Sequence, residues 1–159
     1  MSIERYLATP YGLSVLRTRV KQIKEVDRPE NVRDIEEARA HGDLSENAEY
    51  HAAKERQGLL DAELRSLEDK ISRADVIDPS TLGGDKVVFG ATVDLVNTDT
   101  DEEVTYQIVG IDEADLKEGK ISYASPLGRA IISKEEGDEI AFKAPGGTRN
   151  YEVLEVRFL

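Results

Sequence analysis

Two apolar seams separated by a single break constrain this chain more than any other feature. Leu13, Leu16, Val20 and Ile23 recur at intervals of 3, 4 and 3, and Leu60, Leu64, Leu67, Ile71 and Ala74 recur at 4, 3, 4 and 3. An α-helix turns once in 3.6 residues, so each set lies along one face and has to be buried against another helix. Between the seams lie Val32, Ile35 and Ala38 on one side and Ala48, Ala52 and Lys54 on the other, with Gly42-Asp43-Leu44-Ser45 as the one convincing break. Gly42 can end the first helix, and Ser45 with Glu46 and Asn47 can open the second. The spacing predicts an antiparallel helical hairpin with its tip at residues 42–47, each arm about 30 residues and ~45 Å long at the helical rise. Pro29, just after Asp27 as a cap, is expected to bend the first arm or restart its helix without breaking the domain.

The period changes near Asp78-Pro79-Ser80-Thr81-Leu82-Gly83-Gly84, where Pro and two Gly interrupt every pattern. The domain boundary is placed there, giving a hairpin over 1–78 and a second domain over 79–159. Beyond it, Val87-Val88-Phe89, 92–96, 103–109, 120–123, 139–143 and 151–158 are short segments rich in β-branched and aromatic residues. Leu154, Val156 and Phe158 alternate with Glu155 and Arg157, the pattern of a half-buried strand. Gly146-Gly147 and Asp99-Thr100-Asp101 mark hairpins, and 126–133 reads as a short helix laid across the sheet. The second half is therefore a small α+β domain.

Charge and cysteine content exclude whole classes of function. The first 78 residues carry 13 Lys and Arg against 17 Asp and Glu, a net of −4, so the remainder carries −8 of the total of −12. Such a molecule repels phosphate backbones as a whole, which argues against free-standing sequence-specific DNA binding and requires any nucleic-acid contact to use a local patch. With no Cys in the chain, disulfide scaffolds, thiolate catalysis and Cys-based metal sites are excluded, and a reducing cytoplasm is the expected location. Residues 1–10 include Glu4 and Arg5 and lack the apolar run of a signal peptide, and no stretch is long enough to span a bilayer, so no membrane association is expected.

The chemistry concentrates at the tip. Asp43, Glu46 and Glu49 follow one another at spacings of three. Paired carboxylates suit a hard divalent cation, and Mg²⁺ in particular is often held by one or two carboxylates with substrate phosphates supplying the rest. Glu46 and Glu49 would equally favour the first turn of a helix through its dipole, so the spacing by itself leaves both readings open. His41 and His51 flank the tip without the spacing of a dedicated zinc site. Arg28, Arg33, Arg39, Lys54 and Arg56 form a cationic band set back from the acids, suited either to an RNA backbone or to ordinary pairing with Glu36, Glu37 and Glu55. Gly83-Gly84 and Gly146-Gly147 lack the spacing and Lys of a phosphate loop, and no nucleophile arrangement is present.

Long ordered stretches then resemble a known family across essentially the whole chain: EARAHGDLSENAEYHAAKE at 37–55, VIDPS at 76–80, VFGATV at 88–93, DEADLKEGKIS at 112–122, SPLGRAIISKEEGD at 125–138 and APGGTRNYEVLEV at 144–156, with Arg28-Pro29-Glu30. They resemble the bacterial Gre transcript cleavage factors, the GreA type most closely. The resemblance implies an N-terminal antiparallel coiled-coil hairpin and a C-terminal FKBP-like domain. It implies a monomeric partner of RNA polymerase that docks through the globular domain and inserts the coiled coil into the secondary channel. There it stimulates cleavage of backtracked nascent RNA, near its 3′ end, by the polymerase's own active site, and so is not itself an enzyme.

Residue by residue, the resemblance implies that Asp43 and Glu46 are the catalytic tip acids, which help hold a second Mg²⁺ jointly with the polymerase and orient the attacking water. Arg39 and Lys54 fall at positions of the RNA-contacting basic patch, and Tyr50 beside the acids can stack on a base or support the loop. Ser125 and Pro126 fall at the polymerase-docking position. Ser45 stands where relatives often carry Lys, and Ala124 where Asp or Asn is common. Three alternatives remain: a channel-binding inhibitory paralogue, whose tip would carry extra acids; an FKBP-like prolyl isomerase, against which Tyr106, Tyr123, Tyr151, Phe89, Phe142 and Phe158 are no more aromatics than a core needs; and a coiled-coil scaffold without chemistry.

Overall fold

The computed structural model describes residues 4–159. It divides into two units, one built on Leu13–Ala74 and the other on Arg5–Gly12 together with Asp75–Leu159. Besides the boundary near residue 78, a short N-terminal segment, Arg5–Gly12, therefore joins the second unit, which the chain enters twice. The reason is pairing. Strand β1 (Tyr6–Ala8) hydrogen-bonds to β2 (Ala74–Val76), Ile77 donates its amide to the Ala8 carbonyl at 2.9 Å, and Arg5 pairs with Asp75 at 3.3 Å.

The first unit is a helical hairpin. Helix α1 (Pro10–Gln22) passes into a π-helical segment (Ile23–Asp27) and then α2 (Arg28–Ala40); after the tip the chain returns as α3 (Ala48–Ser72). Cross-helix pairs fix the direction: Ala38 lies against Asn47, Asn31 against Ala53, Arg28 against Asp61 and Lys24 against Glu68, so the partner number rises as the first falls. Ile23, Leu60 and Leu64 form the buried seam with Val20 and Leu67 packed on it, as the 3-and-4 spacing requires.

Three details of the first arm differ from the sequence reading. Pro29 does restart a helix, but the adjustment is a π turn in which the Arg28 amide reaches the Ile23 carbonyl, a wider ring that absorbs the missing Pro donor. Asp27 caps nothing. It accepts from Arg19 at 2.8 Å, and the same guanidinium grips Glu63 at 2.7 and 3.0 Å, holding that carboxyl below the usual carboxylate range. Val32 is 46% exposed, and the seam runs instead through Asn31, Ile35 and Ala38. Asn31 is 2% exposed because its amide donates to the Ala53 carbonyl at 2.9 Å, which satisfies a polar group at a position where apolar residues are the norm.

The second unit carries a five-stranded sheet in the order β5-β4-β3-β7-β6, from β3 (Thr92–Asn97), β4 (Glu103–Val109), β5 (Lys120–Ser122), β6 (Glu139–Ala144) and β7 (Gly147–Arg157). Only β4 and β5 run parallel. Helix α4 (Pro126–Ile131) touches both β5 and β6, the opposite edges, so it lies across one face and buries Ile131 completely. The fold class is α+β, as expected. Both expected hairpins form, and Gly147 adopts φ +120 where β6 turns into β7.

Two strand expectations are corrected. Residues 87–89 form no strand: Lys86 makes an isolated bridge to Glu135, and Val87 is fully buried with its backbone bonded to Ser133 and Lys134. In β7 the strict alternation fails at Leu154, which is 40% exposed. Asp94 pairs with Glu155 but Leu95 with Val153, leaving Leu154 as the extra residue of a β-bulge, which moves Tyr151 and Val153 into the core with Val156 and Phe158. No helix among the described residues is long and apolar enough to cross a membrane.

The seam assignment is directly testable. Asn31→Ala is expected to destabilise the hairpin by about 1–2 kcal/mol, whereas Val32→Ala should cost less than about 0.5 kcal/mol; urea unfolding followed by helical circular dichroism reads both.

Candidate functional site

The tip is built by one glycine, one asparagine and one aspartate. Gly42 adopts φ +116, a conformation that ends α2 cheaply only without a side chain. Asn47 then does two things at once. Its Oδ1 accepts the Tyr50 amide at 3.0 Å, capping α3, while its Nδ2 donates to the Ala38 carbonyl in the last turn of α2 at 2.6 Å. The cap of α3 is therefore Asn47 and not Ser45. Asn ranks with Asp and Ser as the best N-caps, so the sequence held the signal. It missed the reason Ser45 is unavailable, which is that Asp43 engages it.

Asp43 Oδ1 accepts both the Ser45 amide at 3.0 Å and the Ser45 hydroxyl at 2.9 Å. This is a local turn closed by the side chain. The hydroxyl first and the amide second hold the Asp43 carboxyl below its usual range, although the side chain stands fully in solvent. Glu46 is also exposed. Asp43 and Glu46 line one open concavity with His41, Asn47, Ala48 and Glu49, so the structure does bring the two expected acids together. Glu49 differs, since its Oε2 lies 3.7 Å from His41 Nδ1. His51 faces the Ser45 carbonyl at 3.1 Å and packs edge-on to Tyr50. Among the described residues no three His, Asp or Glu side chains gather to hold a metal ion.

Behind the acids the cationic band separates into two groups. Arg28 faces Asp61 at 3.7 Å, and Arg56 faces Glu30 at 3.9 Å and Asp34 at 3.7 Å, so their partners lie across the hairpin and are not Glu36, Glu37 or Glu55. Arg39 instead lies over the Tyr50 ring, 5.9 Å from its centroid, and Lys54 donates to Gln57 at 2.8 Å. Both are exposed, and neither contact neutralises the charge.

In the second unit Ser125 caps α4, accepting the Gly128 amide at 3.0 Å and donating to the Ser122 carbonyl at 2.7 Å, while Pro126 fills the first turn. Gly128 is buried there, and the position excludes a side chain because a Cβ would collide with the Ser122 carbonyl oxygen. Ser125, Pro126 and Leu127 line an open apolar groove with Tyr106, Phe142 and Tyr151. All six aromatics named from the sequence lie in or against the core, as expected; along the groove Phe142 and Tyr151 stack at 5.8 Å, and burial pushes the Tyr106 hydroxyl pKa up. Sequence reasoning missed this groove, because alternation along β6 and β7 does not show where the start of α4 meets the sheet.

Comparison with known proteins places these features in one family. A family model described as the N-terminal part of transcription elongation factors matches residues 6–76, and one described as the GreA/GreB C-terminal part matches residues 82–158. Transcription elongation factor GreA of Rhodospirillum rubrum is 57% identical over 156 residues, covering 98% of this chain and 99% of that protein. The GreA of Hyphomonas neptunium is 56% identical over 97% of this chain and 98% of its own length, and that of Thioalkalivibrio sulfidiphilus 54% over 95% and 96%. A crystal structure of GreA factor homolog 1 from Thermus thermophilus aligns over 97% of this chain and 99% of that one at 27% identity, with a TM-score of 0.44. The chain belongs to the GreA/GreB family of transcription elongation factors.

Proposed function

We propose that this elongation factor rescues arrested RNA polymerase by lending Asp43 and Glu46 to the polymerase active site, where they stimulate cleavage of backtracked nascent RNA. The observation that carries this reading is the pair of exposed carboxylates in one concavity at the end of a helical hairpin, one of them closed into a turn by Ser45. Their chemistry fits Mg²⁺: both are hard oxygen donors, and two are too few for a closed site, so the polymerase and the RNA phosphates complete it. What the ion supplies when bound is charge stabilisation at the scissile phosphate and a lowered pKa for water. Asp43 offers a carboxylate oxygen as a ligand. Glu46, free of the Ser45 turn, accepts a hydrogen bond from the attacking water and orients it.

The other residues hold the substrate and the partner. Arg39 and Lys54 set their charges against the extruded RNA backbone, and Tyr50, braced beneath Arg39, offers a face to a base. The hairpin acts as a coiled coil in the secondary channel. Ser125 and Pro126, at the rim of the aromatic groove, contact the polymerase, and the groove with α4 across the sheet supports an FKBP-like fold used for docking. On this reading the factor works as a cytoplasmic monomer, and the bond-breaking machinery is the polymerase's.

Two experiments test this. In a purified, deliberately backtracked elongation complex with Mg²⁺, the wild-type chain should release short RNA fragments. Asp43→Ala or Glu46→Ala should bind equally well and lose about 10²-fold in cleavage rate. Slowed elongation without cleavage would put the inhibitory reading in its place, and turnover in a proline isomerisation assay would favour the isomerase.

The second concerns Ser45. Because its hydrogen bonds lower the Asp43 pKa, Ser45→Ala should raise that pKa toward the ordinary carboxylate value, so the ionised form is lost at a higher pH as the solution is acidified. Carboxyl-carbon NMR titration of Asp43 reads the shift, and the acid limb of the cleavage profile should move the same way.

A further inference from the structure

The cap at the start of α1 is completed by a residue from a distant part of the chain. Thr9 precedes Pro10, and its hydroxyl oxygen accepts the Gly12 amide at 3.1 Å, which makes Thr9 an ordinary N-cap. In the usual capping box a Glu or Gln at the third helical position reaches back to the cap amide. Here that position is Gly12, and the carboxylate comes from Glu113, 104 residues downstream of Thr9. Glu113 Oε2 accepts the Thr9 amide at 3.1 Å, and Oε1 accepts the Thr9 hydroxyl. A Cβ on Gly12 would run into the Glu113 carboxyl group, so the glycine provides the room the distant carboxylate occupies.

The same Oε2 also accepts the Gly110 amide at 3.0 Å and closes the 3₁₀ turn Ile111–Glu113. One carboxylate therefore binds two chain segments together. Its neighbours support the fastening: the Tyr6 hydroxyl bonds Asp112, the Lys120 ammonium lies 4.4 Å from the Tyr11 ring centroid, and Gly110 sits so close to the Leu7 carbonyl that a Cβ would approach it to 2.6 Å. All of these residues belong to the second unit, and α1 leads from them into the hairpin.

We propose that Glu113 is a positioning residue for cleavage stimulation, anchoring the first turn of α1 to the 110–113 turn so that docking of the globular unit is transmitted to the hairpin. The proposal rests on the cleavage reading above. A purely local role, capping α1, makes a different prediction, because a cap can be supplied from the helix itself. Glu113→Ala leaves Thr9 as the cap but removes the carboxylate that completes the capping box, and the anchor with it. Gly12→Glu combined with Glu113→Ala has space for the new side chain and restores a capping box within α1, but restores no link to the turn.

Glu113→Ala is expected to lower the melting temperature and to reduce cleavage at saturating factor by about tenfold or more, with the half-saturating concentration unchanged. The double variant should recover the melting temperature and not the cleavage. Recovery of both, or wild-type cleavage by Glu113→Ala, would overturn the proposal. A polymerase-free measurement separates its failure from failure of the cleavage reading. The chain has no native Cys, so spin labels on Leu59→Cys and Leu154→Cys, both exposed, report the distance distribution between hairpin and globular unit. That distribution should broaden in both Glu113→Ala backgrounds, and an unchanged width would refute the anchor even if the wild-type chain never stimulates cleavage.

Discussion

The side chain of Asn47 is the contact on which the tip depends. It caps α3 through its carbonyl oxygen and ties down the Ala38 carbonyl of α2 through its amide nitrogen. A helix end leaves unpaired donors and acceptors, and a reversal between two helices brings both kinds together. One short amide satisfies one of each, so the loop needs no larger structure of its own. Asp43 and Ser45 are then free to close on each other, and the acids project from a short, braced turn.

Charge is distributed with the same economy. Along the hairpin Arg19, Lys24, Arg28 and Arg56 are matched to acids on the opposing arm, where exposed pairs contribute little stability but suppress net charge. Close to the tip the pattern changes. The Asp43 carboxyl accepts neutral donors from Ser45, which lower its pKa without cancelling its charge. Arg39 lies against an aromatic face, which likewise leaves its charge uncancelled. Among the described residues neither Asp43 nor Arg39 is thus paired with an opposite charge.

The limits of the sequence reading follow from what each pattern encodes. The 3-and-4 seam was legible because helical burial is periodic and local, and Ile23, Leu60 and Leu64 are buried as it requires. Asn31 was not, because a polar residue enters the seam only when a carbonyl on the other arm receives it. The Leu154 bulge was hidden for a related reason: a one-residue slip belongs to the pairing of β3 with β7 and leaves no mark in the alternation of β7 by itself. Asp43, Glu46, Arg39, Lys54 and Tyr50 were marked by family resemblance, whereas the apolar groove beside Ser125 depends on where the start of α4 comes to lie against Tyr106, Phe142 and Tyr151.

The sequence by itself determined the two structural regimes, the reversal at residues 42–47 and the identity of the acidic tip, because periodicity, turn chemistry and motif order act over a few neighbouring residues. The tertiary structure decided which donors reach which acceptors. It assigned Ser45 to Asp43, Asn47 to both arms, and Glu113 to Thr9 across 104 residues. It also drew Arg5–Gly12 into the globular unit. Contacts between residues far apart in the chain depend on where packing leaves room, such as the space at Gly12, and no local pattern records that space.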